Sequence, residues 1–514
     1  DSTNYNGTYF VIGGYYSTAY VFNGLISNFR VVKGTAVYTS AFNPPTAPLT
    51  NITNTKLLCC NNSSTTGSTV SPVTINAYGN TTASSDSPFD DPAGFKFGES
   101  GSENVIKCGS YIGNGSSTGP EINLGFEPQF IFHKSSSVDG TAWHVFDCMR
   151  GVVAGGNDAI LVPNTNAAEA SDSIIDITST GFKITTSAGG LNQNNGRYVY
   201  MAIRRSDGYV GKPPELGNQV FTPVYGSANA PLFKANNHVV DFTLQKNSNF
   251  ATQTTDWNVT SRLTSGKLLQ TNTSAAETSN TYQVFDYQSG TSSFTGGSGI
   301  RFGWLWKRYA GFDVIAYEGN GVAGRQISHS MNKTVEMVWI KKRSETGNWI
   351  VGHKGMNGGT NPWQYSMQLD STDASTDNEW AFDDTAPTST AITLGTDGNC
   401  NGSGKDYLMM LFASVEGISK VGYYTGNNTT QTITTGFQPR FVIIKKASNA
   451  DNWLTFDTVR GWTSGATDKE LRLNATNAQA DFQVGYPTST GFYLDTDDGG
   501  INQNDENYIY YAHA

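Results

Sequence analysis

Adjacent aspartates occur three times in this chain, as Asp90 with Asp91, Asp383 with Asp384 and Asp497 with Asp498. Glycoside hydrolysis needs two acids roughly 5 to 10 Å apart with separated pKa values, and acids gathered on a loop also suit a hard cation. Adjacency alone sets up neither. The three pairs read as solvated loop residues, and "DTDDGG" at 495 to 500 lacks the spacing of an EF-hand loop. Six histidines, at 133, 144, 238, 329, 353 and 513, form no HExxH pair, and no serine lies in a GxSxG elbow. The five cysteines, Cys59, Cys60, Cys108, Cys148 and Cys400, show no CxxC spacing, so neither a disulfide framework nor a zinc site is expected. The expectation is a chain with no catalytic residues, no metal and no cofactor.

The residues that do recur are aromatic and basic. Trp143, Trp257, Trp349 and Trp453 each follow a strand-like run: "PQFIFHK", "VVDFTLQK", "VEMVWIKK" and "RFVIIKK". A basic residue comes next in each case: Arg150, Arg262, Lys354 and Arg460. Such a Trp is either a stacking platform for a sugar ring or a core residue with one partner for its indole N–H. Recurrence in every copy favours packing. Asp147 and Asp457, in the "FD" between Trp and Arg, read as internal partners of Arg150 and Arg460. Trp304, Trp306, Trp363 and Trp380 are specific to one copy, which makes them the candidates for a unique ligand contact or an interface. The runs "IKKR" at 340 to 343 and "IKK" at 444 to 446 read as solvated strand ends.

These residues are carried on a repeat. "NQNNGRYVYMA" at 192 to 202 returns as "NQNDENYIYYA" at 502 to 512, and "GFEPQFIFHK" at 125 returns as "GFQPRFVIIKK" at 436. A shift of about 103 residues finds two more diverged copies between them. Three copies open alike, with "YIGNG", "YEGNG" and "YYTGN", where Gly and Asn tolerate the positive φ of a turn. Each copy closes on an aromatic strand of period 2, such as "YVYMAI". Asp/Asn/Gly runs before each last strand read as connecting loops. Short strands at this spacing predict β-sandwich repeats over 96–206, 207–309, 310–415 and 416–514, after a first segment over 1–95.

Composition agrees with an all-β protein. Gly numbers 56, aromatic residues reach 12% and charged residues only 15%. A net charge of -10 opposes nucleic-acid binding, which needs clustered cations. No run approaches 18 apolar residues, so no membrane insertion by a helix is expected.

Residues 22 to 60, "FNGLISNFRVVKGTAVYTSAFNPPTAPLTNITNTKLLCC", resemble the closing part of the LamG-like, concanavalin A-like jelly rolls of marine phage structural proteins. That resemblance implies that the chain begins inside a domain and belongs to a longer product. The later segments "RYAGFDVIAYEGNG", "VEMVWIKKRSETGNWIVGHKG", "YLMMLFASVEGISKVGYYTGN" and "NWLTFDTVRGWTSG" are similar to tandem domains in tail-fibre-like proteins of cyanophages and other marine phages. The implied role is a virion tail fibre attaching to host-surface glycans by weak multivalent contacts. Its partners would be other virion proteins and, since such fibres are commonly trimers, two further copies of itself. Rival readings are a capsid-bound head fibre or decoration protein and a polysaccharide depolymerase. Four domains in file would span very roughly 140 Å.

Overall fold

Alternation along the strands sets which face each sheet buries. In Arg197–Arg204, Tyr198, Tyr200 and Ala202 are buried while Val199, Met201 and Ile203 point the other way and are partly open. A computed structural model describes residues 10–14, 22, 24–40, 42, 45, 48–62, 64–79, 81–84, 96–97, 105–227, 231–246, 251–252, 254–280, 284–285, 289–291, 300–465, 467–494 and 500–514. The fold is all-β and of sandwich type, with antiparallel pairing throughout the described sheets. Two compact units divide the chain, Asp1–Phe95 and Lys96–Ala514. No described helix is long and apolar enough to cross a membrane.

In the first unit, Thr55–Cys59 is the middle strand of a three-stranded sheet between Phe29–Val32 and Ser68–Val70. Leu58 and Cys59 are its buried residues.

In the second unit three six-stranded sheets share one strand order. In the third sequence repeat that order is Phe312–Glu318, Asp406–Phe412, Met337–Lys342, Ile350–His353, Tyr365–Gln368 and Thr376–Asp377. The last strand of each repeat thus lies between the first and the second. The second repeat begins its sheet with Phe221–Tyr225 and Phe302–Trp306, and the fourth with Ser419–Thr425 and Asn507–His513. The first repeat has the same start over four strands: Ile106–Ile112, Arg197–Arg204, Pro128–Ser135 and Trp143–Asp147. Smaller sheets, such as Arg325–Ser328 with Ala391–Leu394, complete the sandwiches.

The "GNG" motif has a structural task. Gly115 and Gly321 have φ of 68° and 71°, and Asn428 takes the same place at 57°. The turn is held from the far end of its repeat by a buried Asn. Asn192 Oδ1 accepts from Asn114 N at 2.8 Å, Asn401 Oδ1 from Asn320 N at 3.0 Å, and Asn502 Oδ1 from Asn427 N at 3.1 Å. The amide group of Asn192 donates in turn to the carbonyls of Ser116, Gly119 and Thr186. This is why "LNQN" and "INQN" recur: one side chain satisfies the polar backbone of a loop that has no ladder of its own.

Candidate functional site

Trp257, Trp349 and Trp453 are at most 1% exposed. Each is fixed by its own repeat, its backbone N–H donating to Asn272, Asp370 or Asn474. Each indole N–H, however, donates into a different repeat. Trp349 reaches the Gln270 carbonyl of the second repeat at 2.8 Å, Trp453 the Gln368 carbonyl of the third at 3.0 Å, and Trp257 the Arg472 carbonyl of the fourth at 2.7 Å. The acceptors occupy the same place on the fifth strand of each sheet. Second to fourth, fourth to third and third to second is a closed cycle. The backbone repeats it: Thr255 N donates to Thr476 O, Asp451 N to Thr372 O and Gly347 N to Ser274 O. The expectation of domains in file is therefore corrected, since a linear array has no contact between its second and fourth members.

The lysine runs are also corrected. Lys341, Lys342, Arg343, Lys445 and Lys446 are buried rather than solvated. Lys341 Nζ donates to Ser274 O and Lys445 Nζ to Thr372 O, both at 3.1 Å, in the neighbouring repeat. Lys246 in the second repeat reaches Thr476 O and Asn477 O at 3.4 and 3.3 Å. Burial pulls the pKa of all three ammonium groups down to about 8. The carbonyls of the next repeat stand in for the water that a lysine at a strand end ordinarily keeps.

Of the copy-specific tryptophans, three face inward. Trp304 and Trp306, 0% and 1% exposed, project from the last strand of the second repeat into the space between repeats. Trp304 stacks on Trp257 at 4.9 Å, meets Phe441 of the fourth repeat at 4.9 Å and donates its indole N–H to Asp457 at 3.1 Å. Phe412 of the third repeat meets Tyr511 of the fourth at 4.9 Å. Trp363 is 6% exposed and packs edge-on against Phe382. None of the three presents a ring face to a ligand, so the unique ligand contact expected of them from sequence is corrected to packing. Trp380 is the exception at 62% exposed.

The basic anchors find two kinds of partner. Arg460 Nε lies 2.5 Å from Asp457 with both side chains fully buried, and Arg150 Nε lies 2.6 Å from Asp147 with both about a quarter exposed at 24%. Arg262 and Lys354 use acids that precede the second strand, Asp241 at 3.2 Å and Glu336 at 2.6 Å. The Arg460 guanidinium also covers Phe302 and Trp304 of the second repeat. Sequence reasoning missed a buried cluster in which Arg308 grips Glu127 through two 2.6 Å bonds and Asp313 at 2.6 Å, while Arg205 adds a second contact to Asp313. It joins the first repeat to the second and third. Its members lie far apart in sequence and share no motif.

Histidines are structural. Burial holds His133, His353 and His513 down at about 3 and His238 at about 4. His353 accepts from Gly355 N at Nδ1 and faces the Tyr510 carbonyl at Nε2, which requires the neutral ring with its proton on Nε2.

A shallow recess of about 190 Å³ lies on the third repeat, below the roughly 300 Å³ at which small-molecule pockets begin. Asp373, Asn378, Asp397, Asn399 and Gln368 supply its polar wall. Trp380 follows Asn378 by two residues on the short helix Glu379–Phe382, whose Trp380 carbonyl accepts from Asp397 N. Asp383 and Asp384, next in the chain, take φ of 52° and 49° and form a turn. Asp90, Asp91, Asp497 and Asp498 lie outside the described residues. Among the described residues no group of three potential metal ligands converges.

A family model described as a domain of unknown function, DUF7483, matches residues 35–206 and 238–514. No curated protein matches the chain.

Proposed function

The chain belongs to the DUF7483 family, and since that description names no activity, we propose from the geometry that it is a structural attachment protein, a phage tail-fibre segment touching host-surface glycans weakly and many times over. The observation that carries this reading is the exposed Trp380, whose backbone carbonyl accepts from the N–H of Asp397, a residue of the polar recess. The exposed indole offers a flat apolar face, and the recess lined by Asn378, Asp397 and Asn399 supplies acceptors and amide donors, the two kinds of contact that suit a pyranose ring. A recess so shallow buries little of any one sugar, so affinity rests on repetition of the site over many copies. The segment over 1–95 is read as the closing part of a LamG-like jelly roll on the residues quoted above.

The test is a pull-down of the purified chain on candidate host cells and their extracted polysaccharide, with reducing-end release assayed in the same tubes. Saturable binding that Trp380→Ala abolishes without sugar release supports the attachment reading. Sugar release moves the case to a depolymerase, and neither binding nor release moves it to a head fibre or decoration protein.

A further inference from the structure

Cys59 and Cys60 are neighbours in the chain, and their sulfurs lie 3.9 Å apart. In an extended strand successive side chains point to opposite faces, which keeps adjacent thiols away from each other. The strand Thr55–Cys59 ends at the first of the pair, and Cys60 takes φ of 55°, a turn that sets its sulfur beside that of Cys59. Both are free thiols.

The conformation at Cys60 stands apart from the others of its kind. Among the described residues eleven besides glycine have positive φ, and ten of these are Asn or Asp, whose short polar side chains tolerate the left-handed region. Cys60 is the exception, and strain of this sort persists only where the surroundings over-determine it. The ladder supplies that constraint. Asn28 N donates to the Cys60 carbonyl at 2.8 Å, Asn28 Oδ1 accepts from Leu49 N at 2.8 Å, and Cys59 pairs with Phe29 on the neighbouring strand. Cys59 is 2% exposed, while Cys60 is half-buried and open to a reagent in solvent. Burial pushes the Cys59 thiol up to about 11, so it stays protonated while Cys60 reacts first.

We propose that Cys59 and Cys60 are a redox modification site, at which a small-molecule disulfide such as oxidised glutathione converts the two thiols into a disulfide between adjacent residues. The Cys60 thiolate attacks one sulfur of the small disulfide, forming a mixed disulfide and releasing the first thiol. The Cys59 sulfur then gives its proton to solvent, attacks the Cys60 sulfur and releases the second thiol. Two protein thiols are oxidised, one small disulfide is reduced, and the two electrons balance. Adjacent Cα atoms stand about 3.8 Å apart, short of the roughly 4.4 to 6.8 Å of ordinary disulfides, so the small ring is strained and a thiol reductant reopens it. The inference is independent of glycan binding.

Peptide mass mapping of the unmodified full chain tests it. Trypsin cutting after Lys56 and Lys96 releases a peptide whose only cysteines are Cys59 and Cys60. The folded chain is held in oxidised glutathione, quenched in acid, alkylated and digested. The expected peptide is two hydrogens lighter than the dithiol form, carries neither an alkyl group nor glutathione, and regains two alkylation sites after treatment with dithiothreitol. The same peptide, released first and then exposed to the same glutathione, should close its ring about tenfold less readily or worse, because nothing holds Cys60 at positive φ. A folded chain that keeps both thiols, stops at a stable glutathione adduct or links these cysteines to a second chain overturns the proposal. Equal closure in the folded chain and the free peptide also overturns it, since the fold would then contribute nothing to the site.

Discussion

The first and fourth repeats are the closest pair in sequence, yet their equivalent sheet faces end in different surroundings. In the fourth, the face carrying Trp453, Lys445, Ile509 and Tyr511 is sealed by two other repeats. In the first, the face carrying Trp143, Lys134, Val199 and Met201 is half-open. The strands, the Trp, the Lys and the Asp–Arg pair are the same, so the difference lies in what stands opposite. A residue's energetic weight here comes from its neighbour's backbone as much as from its own type.

Paired substitutions measure that difference in denaturant midpoints. Arg460→Ala leaves Asp457 buried without its partner and is expected to cost about 3 to 5 kcal/mol, while Arg150→Ala breaks a partly solvated pair and should cost about 1 kcal/mol or less. Equal losses would break the comparison. Trp453→Ala similarly opens a cavity between two repeats, at about 3 to 5 kcal/mol, and Trp143→Ala should cost less than half as much. Asn401→Ala strips the amide that donates to the Val322 and Gly395 carbonyls and should cost about 1 to 3 kcal/mol. Because this lock is internal to a repeat, Asn192→Ala should cost the same, which sharpens the contrast with the Trp and Arg pairs.

Acid should act mainly through buried histidines. Their folded pKa values lie below the ordinary 6.5, at about 3 for His133, His353 and His513 and about 4 for His238. Below pH 6.5 the unfolded chain binds protons that the folded one refuses, so their contribution is fully present above that pH and is lost as pH falls. The slope approaches about 1.4 kcal/mol per pH unit for each histidine. Asp158, pushed up to about 7 by burial, opposes this together with Asp176 and Asp370, which burial also raises, but all six histidines are lowered by burial against these three acids. A stability profile flat from pH 6.5 to 4 would contradict the burial of these rings. The smallest effect is expected at Trp380→Ala, within about 0.5 kcal/mol, because its ring lies in solvent.

Much of the local structure is legible in the sequence. Period 2 in "YVYMAI", the positive-φ turn in "GNG" and the recurrence of "NQN" each report a geometry satisfied inside one repeat. The arrangement among repeats is not legible, because the indole and ammonium groups that build it donate to backbone carbonyls, which any residue supplies. Lys341 and Lys445 look like solvated strand ends since nothing in "IKK" tells of the neighbouring sheet. Trp304 and Trp306 look available for a ligand for the same reason: in one repeat taken alone their face would be open, as Val199 and Met201 are in the first. Trp380 differs because it stands on a short helix outside the main sheet.

Closure of the cycle is the central claim, and removing one member tests it most directly. A chain ending at residue 415 lacks the acceptor of the Trp257 indole, the cross-repeat acceptors of Lys246 and the cover over Trp304 and Phe412. Thermal unfolding of that chain beside the full-length protein should show the second and third repeats losing their cooperative transition and exposing apolar surface to a dye. Retention of the same transition temperature by the shortened chain would mean that each repeat stands by itself, and the closed cycle would be wrong.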